Sequence, residues 1–273
     1  MATSESKTVF LTGASSGIGL EIAKLLTACG FEVWGTSRHP ARLPKLPRFH
    51  PVLMDLTQSE SIYENFAAAV REAGAFDVLI NNAGNGAFGP LEAMPEEVVR
   101  DQFQVLVHAP VELIRLALPA MRERGRGMII NVTSLAAEFP IPFMAPYSAA
   151  KSALSLLTKG LRMELSNTLI RIVEVRPGDI NTPFHEQTKK FGSTADAEHG
   201  RRMKSAWETQ SHNMAAAPPP DRVARAVLCA INAPHPPSVL VVGGVFQARV
   251  APLAARFLPH RLLEYGLQRY YRL

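Results

Sequence analysis

The sequence predicts a doubly wound α/β fold: a single domain whose seven-stranded parallel sheet carries helices on both faces. Three observations predict it. Short runs rich in β-branched and aromatic residues alternate with longer runs of helical spacing, the pattern of right-handed β-α-β crossovers. Residues 78–80 and 239–242 are continuously apolar, as strands buried on both faces need to be. The chain has 273 residues, 47% of them hydrophobic and 19% charged, which is enough to bury one large core.

In chain order, the strand runs are residues 8–12, 31–36, 51–55, 77–81, 128–133, 171–175 and 238–242. The helical stretches are residues 18–29, 59–73, 96–122, 147–166 and 221–233. The Pro/Ala stretch 215–220 reads as a loop end, because Asp221 follows it as an N-cap. Residues 184–214 form a polar insertion carrying Phe191, Met203 and Trp207, and a loop of this length is expected to act as a lid. No repeat or long linker divides the chain. Residues 1–247 therefore read as one domain with its lid, and residues 248–273 as a basic amphipathic extension.

The formal net charge is +5, from 29 Lys+Arg against 24 Asp+Glu. No basic stripe interleaved with aromatics lies near the predicted sheet, which argues against a nucleic-acid module. Much of the excess sits in residues 248–273, where Arg249, Arg256, Arg261, Arg269 and Arg272 face the single acid Glu264. Leu253, Phe257, Leu258, Leu262, Leu263, Leu267, Tyr270 and Tyr271 are interleaved at roughly helical spacing, broken by Pro252 and Pro259. Such a segment can lie on an anionic membrane or dock on its own domain, and both readings stay open. Cys29 and Cys229 lack metal-ligand spacing, which fits a reducing compartment and predicts neither a disulfide scaffold nor a metal site. Residues 1–7 are polar, and no apolar run looks long enough to span a bilayer, so a soluble cytoplasmic protein is expected.

The first strand leads through Thr12 into Gly13, Ser15, Ser16, Gly17, Ile18 and Gly19, and then into a helix. Glycines there allow a tight turn, close approach of backbone to a phosphate, and packing of helix on strand; the helix N-terminus then faces the anion. Glycine spacing alone would fit an ordinary turn, but its place between a strand and an amphipathic helix gives it meaning. At the end of the second strand, Thr36-Ser37-Arg38 offers no carboxylate for a ribose 2′-hydroxyl and a guanidinium suited to a phosphate. The expected cofactor is thus NADP(H) in preference to NAD(H). A solvated surface arginine is the plainer alternative.

The spacing Gly-x3-Gly-x-Gly resembles the short-chain dehydrogenase/reductase family. Asn81-Asn82-Ala83-Gly84 after the fourth strand resembles its second fingerprint, and Pro177-Gly178 with Ile180 and Thr182 its third. The likeness runs from about Thr8 to Pro183. It implies a Rossmann-type fold in which Asp55 and Leu56 lie near the adenine, Asn82 to Gly84 lie beside the cofactor, and Thr182 contacts the nicotinamide carboxamide.

Tyr147 and Lys151 are four residues apart on one predicted helix, so they share a face. An ammonium beside a phenol is expected to lower its pKa from about 10 and make Tyr147 a general acid or base. Ser134 ends a strand thirteen residues upstream. The resemblance gives Ser134, Tyr147 and Lys151 the family's catalytic roles, with the serine holding the substrate oxygen and the lysine also binding ribose hydroxyls. One departure stands out. Leu106 occupies the place of the family's asparagine in Phe103-Gln104-Val105-Leu106, and leucine cannot anchor a water chain to the lysine. His108 reads as a structural histidine on another helix face rather than a substitute.

Residues 135–144, with Phe88 and Phe184, are expected to give the substrate site an apolar wall, suited to a bulky hydrophobic carbonyl or alcohol. The two long helices resemble the family's dimerisation pair, which implies a homodimer or homotetramer. Two functions are carried forward: an NADP(H)-dependent oxidoreductase interconverting a ketone or aldehyde and an alcohol, and a cofactor-binding regulatory protein of low turnover.

Overall fold

A computed structural model describes residues 7–192, 197–250, 253 and 257–273. The expectations for residues 1–6, Pro252 and Arg256 lie outside them. Seven strands form one parallel sheet: β1 (Thr8–Leu11), β2 (Glu32–Ser37), β3 (Phe49–Leu53), β4 (Val78–Asn81), β6 (Gly127–Val132), β7 (Ile170–Pro177) and β9 (Val239–Val242). Their order is β3-β2-β1-β4-β6-β7-β9. The order of strand addition reverses between β1 and β4, where Val9 pairs in parallel with Val33 on one side and Val78 on the other. Ligands of open α/β sheets bind in the crevice at the carboxyl ends of strands beside such a switch point. Pro51 sits in β3, an edge strand where a missing N–H is tolerated.

Alternation along β1 explains the two-sided core. Val9 and Leu11 point to one face, covered by α1 (Gly17–Ala28) and α8 (Asp221–Asn232) through Ile22, Leu26, Val223 and Val227. Phe10 points to the other, among Phe66, Phe76, Leu79, Leu113 and Ile129. There α2 (Ser59–Ala73) and α4 (Ala109–Glu123) close the layer. The 20-residue helix α5 (Ala145–Glu164) lies against β6 and β7 on this face.

Two features differ from expectation. The stretch 96–122 is not one regular helix: α3 (Glu96–Phe103) and α4 are joined by a π-turn, Gln104–His108, that puts Leu106 at the centre of the break. Within Glu96–Glu123 an 18-residue window reaches a mean hydropathy of 1.3, long and apolar enough to cross a membrane by length and composition alone, a test that the core helix of a folded domain also passes. In this fold it lies on the sheet through Leu113, Ile114, Ala117 and Met121, all buried.

The insertion is also more ordered than a loop. It contains a short helix α6 (Phe184–Gln187), a two-residue strand β8 (Lys189–Lys190) paired with β5 (Ala87–Phe88), and the 19-residue helix α7 (Ala197–Ala215). The apolar stripe of α7 is narrow (Met203, Ala206, Trp207) and diluted by charged neighbours, so its periodicity is weak in sequence. The tail, in line with its helical spacing, forms helix α9 (His260–Tyr270), which starts directly after Pro259.

Candidate active site

The crevice above β1 and β4 opens into one cleft of about 820 Å³. Gly13, Ser15, Ser16, Gly17, Ile18, Gly19, Arg38, Asp55, Leu56, Asn82, Ala83, Gly84, Ser134, Tyr147, Lys151, Pro177, Gly178, Ile180 and Thr182 all line it. Residues scattered over some 170 positions therefore meet on a single surface.

At its floor, Gly13 and Gly17 take left-handed backbone angles of φ 73° and 53°, where a side chain would be strained. Gly19 has no room either, since a Cβ there would lie 2.1 Å from the Gly13 carbonyl oxygen. The Thr12 hydroxyl oxygen accepts from the backbone N–H groups of Asn82 (2.9 Å) and Ala83 (3.0 Å), and Asn82 Nδ2 donates to the Thr12 carbonyl (2.9 Å). These bonds lock the turn after β1 to the turn after β4. Ser16 makes no side-chain cap and the first turn of α1 holds no acid, so that helix end presents its N–H groups to the cleft. A pyrophosphate fits such a cradle.

Farther along, Arg38 is joined by His39 and Arg42, and all three are exposed along the cleft. Asp55 accepts from the N–H and the hydroxyl of Thr57 through Oδ1, at 3.0 and 2.9 Å. Arg42 was not singled out from sequence. It lies in a short 3-10 turn, Pro40–Arg42, that only the fold brings round to Arg38.

At the other end, β6 runs out into Ser134, whose Oγ accepts from Ala136 N at 3.1 Å and caps a 3-10 turn. The same hydroxyl hydrogen-bonds the Tyr147 phenol. Tyr147 and Lys151 occupy the first turns of α5, with Lys151 Nζ 5.9 Å from the tyrosine ring centroid. The expected ionisation is not the one found. Burial pushes the phenol up to about 12, with the Ser134 bond opposing, and pushes the lysine down to about 8. Lys151 Nζ donates to the Val132 carbonyl at 2.9 Å, and desolvation of both groups outweighs any depression of the phenol by the ammonium.

Leu106 is fully buried and packs with Tyr147, Ala136, Met144 and Ala150, its Cδ2 facing Gly84. His108 is exposed, so it is neither a relay nor a buried structural histidine. The apolar wall is partly as expected: Leu135, Ala136, Phe139, Ile141 and Phe184 line the cleft. Phe88 does not. It is buried behind the wall against Trp207 (4.9 Å between ring centroids) and Phe143 (5.7 Å).

Two groups were not visible in sequence. Beneath the wall, the Arg176 guanidinium donates to Glu174 (3.1 and 3.0 Å), to Glu138, and to Ser155 Oγ (3.3 Å). Glu174 in turn accepts from Thr133, the neighbour of Ser134, at 2.8 Å. This buried network ties β6, β7, α5 and the wall together. Above the cleft, Gln247 accepts from Asp179 N at 2.9 Å and donates back to its carboxylate. Leu258, Leu262, Leu263, Leu267, Tyr270 and Tyr271 line the same side. The tail thus docks on its own domain through its inner face. Among the described residues no three His, Cys, Asp or Glu side chains gather as a metal site.

Comparison with known proteins agrees with this geometry. The family model described as short chain dehydrogenase matches residues 7–192. A 3-ketodihydrosphingosine reductase of Bacteroides thetaiotaomicron is 32% identical over 267 residues, covering 96% of this chain and 97% of that protein. A short-chain dehydrogenase from Streptomyces avermitilis superposes with a TM-score of 0.82 at 29% identity, over 97% of each chain. The closed form of a serine dehydrogenase complexed with NADP+ gives 0.76 at 26% identity, over 88% of this chain and 96% of that one. Other solved neighbours are complexes with NADP or with NADH.

Proposed function

The chain belongs to the short-chain dehydrogenase/reductase family of oxidoreductases acting on CH–OH groups, and from that premise we propose an NADP(H)-dependent carbonyl reductase for hydrophobic substrates. The observation that carries the reading is the phenol of Tyr147, buried and protonated, beside Ser134 and Lys151 at the end of a cleft that begins at a phosphate cradle. The glycine cradle and the length of the cleft fit a nicotinamide dinucleotide, with Asp55 toward the adenine and Thr182 toward the nicotinamide. Bound there, the cofactor supplies or accepts the hydride.

The protein residues do the rest. Ser134 holds the substrate oxygen by its hydroxyl. Tyr147 keeps its proton across the physiological range, which suits donation to the oxygen of a carbonyl being reduced. Lys151, fixed on Val132, holds positive charge near the phenol and the ribose hydroxyls. Arg38 and Arg42 supply two guanidiniums for a 2′-phosphate, which supports NADP(H). Phe139, Ile141, Phe184 and the leucines of α9 exclude water and favour a bulky apolar ketone or alcohol. The name of the Bacteroides relative supports a keto lipid. A cytoplasmic homodimer or homotetramer completes the reading. Leu156 and Met163, exposed on α5, would be covered by the partner.

The test is NADPH oxidation with a panel of hydrophobic ketones that includes 3-ketodihydrosphingosine. Tyr147→Phe is expected to lower kcat by at least about 100-fold; unchanged turnover would overturn the assignment. A second reading, a cofactor-binding protein of low turnover, is favoured by Leu106, which puts a methyl-bearing side chain where a relay would need a polar one. Tight NADPH binding with no turnover on the panel supports that reading, and a large rate gain in Leu106→Asn shows that proton resupply is limiting.

A further inference from the structure

Among the described residues, nine of the fifteen large hydrophobic side chains left exposed lie near the end of the chain. Of the large hydrophobic side chains left exposed, Val245, Phe246, Val250, Leu253, Phe257, Leu258, Leu262, Tyr265 and Tyr270 all belong to the last 29 residues. Phe246, Leu258 and Leu262 are the informative ones, because each is about half exposed or more and also lines the cleft. The exposed belt is therefore continuous with the mouth of the candidate active site. Exposed apolar side chains gathered at the mouth of a cleft mark a surface that meets something else.

Charge selects what covers it. Helix α9 has two faces. Leu263, Gly266, Leu267 and Tyr270 turn inward to the cleft, spaced three or four residues apart. The outer face carries Arg261, Arg269 and, just past the helix, Arg272, against Glu264. Ser205 of α7 donates to the carbonyls of Tyr271 and Arg272, both at 3.2 Å, which brings α7 alongside the end of α9. Arg201 and Arg202, one turn before Ser205, are exposed and extend the basic flank. An apolar belt flanked by arginines is the pattern of a segment that lies in a membrane interface. The inner face docks on the domain while Phe246, Leu258, Leu262 and Tyr265 keep half or so of their surface exposed, so a single element meets both sequence-level readings of the tail.

We propose that this belt docks the enzyme on an anionic phospholipid surface, with the cleft mouth at Phe246, Leu258 and Leu262 opening against the lipid. An apolar substrate would then pass from bilayer to cleft without crossing water. The docking stands on exposure and charge alone; the passage of substrate rests on the function proposed above.

The test is co-sedimentation with vesicles of phosphatidylcholine alone and with phosphatidylglycerol added. Wild-type protein is expected to pellet with the anionic vesicles. Val245, Leu253 and Tyr265 are exposed and lie outside the cleft lining. The triple variant Val245→Glu/Leu253→Glu/Tyr265→Glu should lose at least tenfold in binding, with an unchanged thermal midpoint. A second variant, Arg261→Gln/Arg269→Gln/Arg272→Gln, leaves the apolar belt intact and should lose roughly a hundredfold, at about one decade per 1.4 kcal/mol and about 1 kcal/mol per arginine. Wild-type protein that stays in the supernatant, or variants that bind as well as wild type, would overturn the proposal. So would a wild-type oligomer that the triple Glu variant dissociates while neither protein binds vesicles, because a second copy would then cover the belt. These readouts need no turnover, so failure of the proposed activity leaves them interpretable.

Discussion

Replacing Lys151 by methionine removes a buried ammonium while keeping the side chain's length. In the structure, burial pushes this lysine from 10.5 to about 8. At 1.36 kcal/mol per pKa unit, the ammonium form costs the nucleotide-free protein about 3 kcal/mol at pH 7. Methionine relieves that cost but leaves the Val132 carbonyl without its donor, a loss of about 1–3 kcal/mol. The net change at pH 7 is therefore a gain of roughly 0–2 kcal/mol in a variant with no catalytic lysine. The sign of the pH dependence gives the sharper test. Between the two pKa values the unfolded chain binds the proton and the native protein does not, so wild-type stability rises with pH from about 8 toward 10.5. Integration from pH 7 to pH 9.5 gives a rise of about 2 kcal/mol that the methionine variant lacks. Tyr147 acts oppositely, since burial holds its proton to about 12, and its loss of stability falls above pH 10, clear of this window. Urea unfolding of both proteins without nucleotide, at pH 7, 8 and 9.5, measures the difference. A wild-type-minus-variant gap that stays constant within about 0.5 kcal/mol would refute the view that desolvation governs this lysine.

Arg176→Met strands Glu174, which is fully buried, and should cost about 3–5 kcal/mol, a drop on the order of 10 °C in Tm by calorimetry. Adding Glu174→Gln should restore part of it, because the stranded charge is the main penalty; no recovery would mean that packing, not charge, fails. Removing Arg38 and Arg42 together (Arg38→Ala/Arg42→Ala) should raise KM for NADPH by about 10- to 100-fold while leaving KM for NADH nearly unchanged, by loss of charge-assisted bonds to the 2′-phosphate. Equal effects on both cofactors would remove the basis for the preference.

The legibility of this molecule followed the range of the interactions involved. The strands stood out because a strand buried on both faces needs continuous apolar residues, as in Val78-Leu79-Ile80. The glycine turn stood out because Gly13 and Gly17 need left-handed backbone and Gly19 has no room for a Cβ. Tyr147 and Lys151 could be paired because helical periodicity alone puts them on one face. Helix α7 was missed because only Met203, Ala206 and Trp207 carry its buried stripe among charged neighbours. Phe88 was misplaced because an aromatic near the site can pack behind the wall as readily as in front of it.

By itself, then, the sequence determined the strand order's raw material, the phosphate cradle and the spacing of Ser134, Tyr147 and Lys151, all of them fixed by local backbone geometry. Tertiary structure decided the rest. Desolvation set the ionisation of Tyr147 and Lys151 against the simple pairwise expectation, because burial depends on everything packed around a group. Arg176 found Glu174 and Glu138 only once β7, the wall and α5 had come together. The tail became both the far wall of the cleft and an exposed apolar belt because residues more than sixty positions apart, Asp179 and Gln247 among them, meet only in the folded chain.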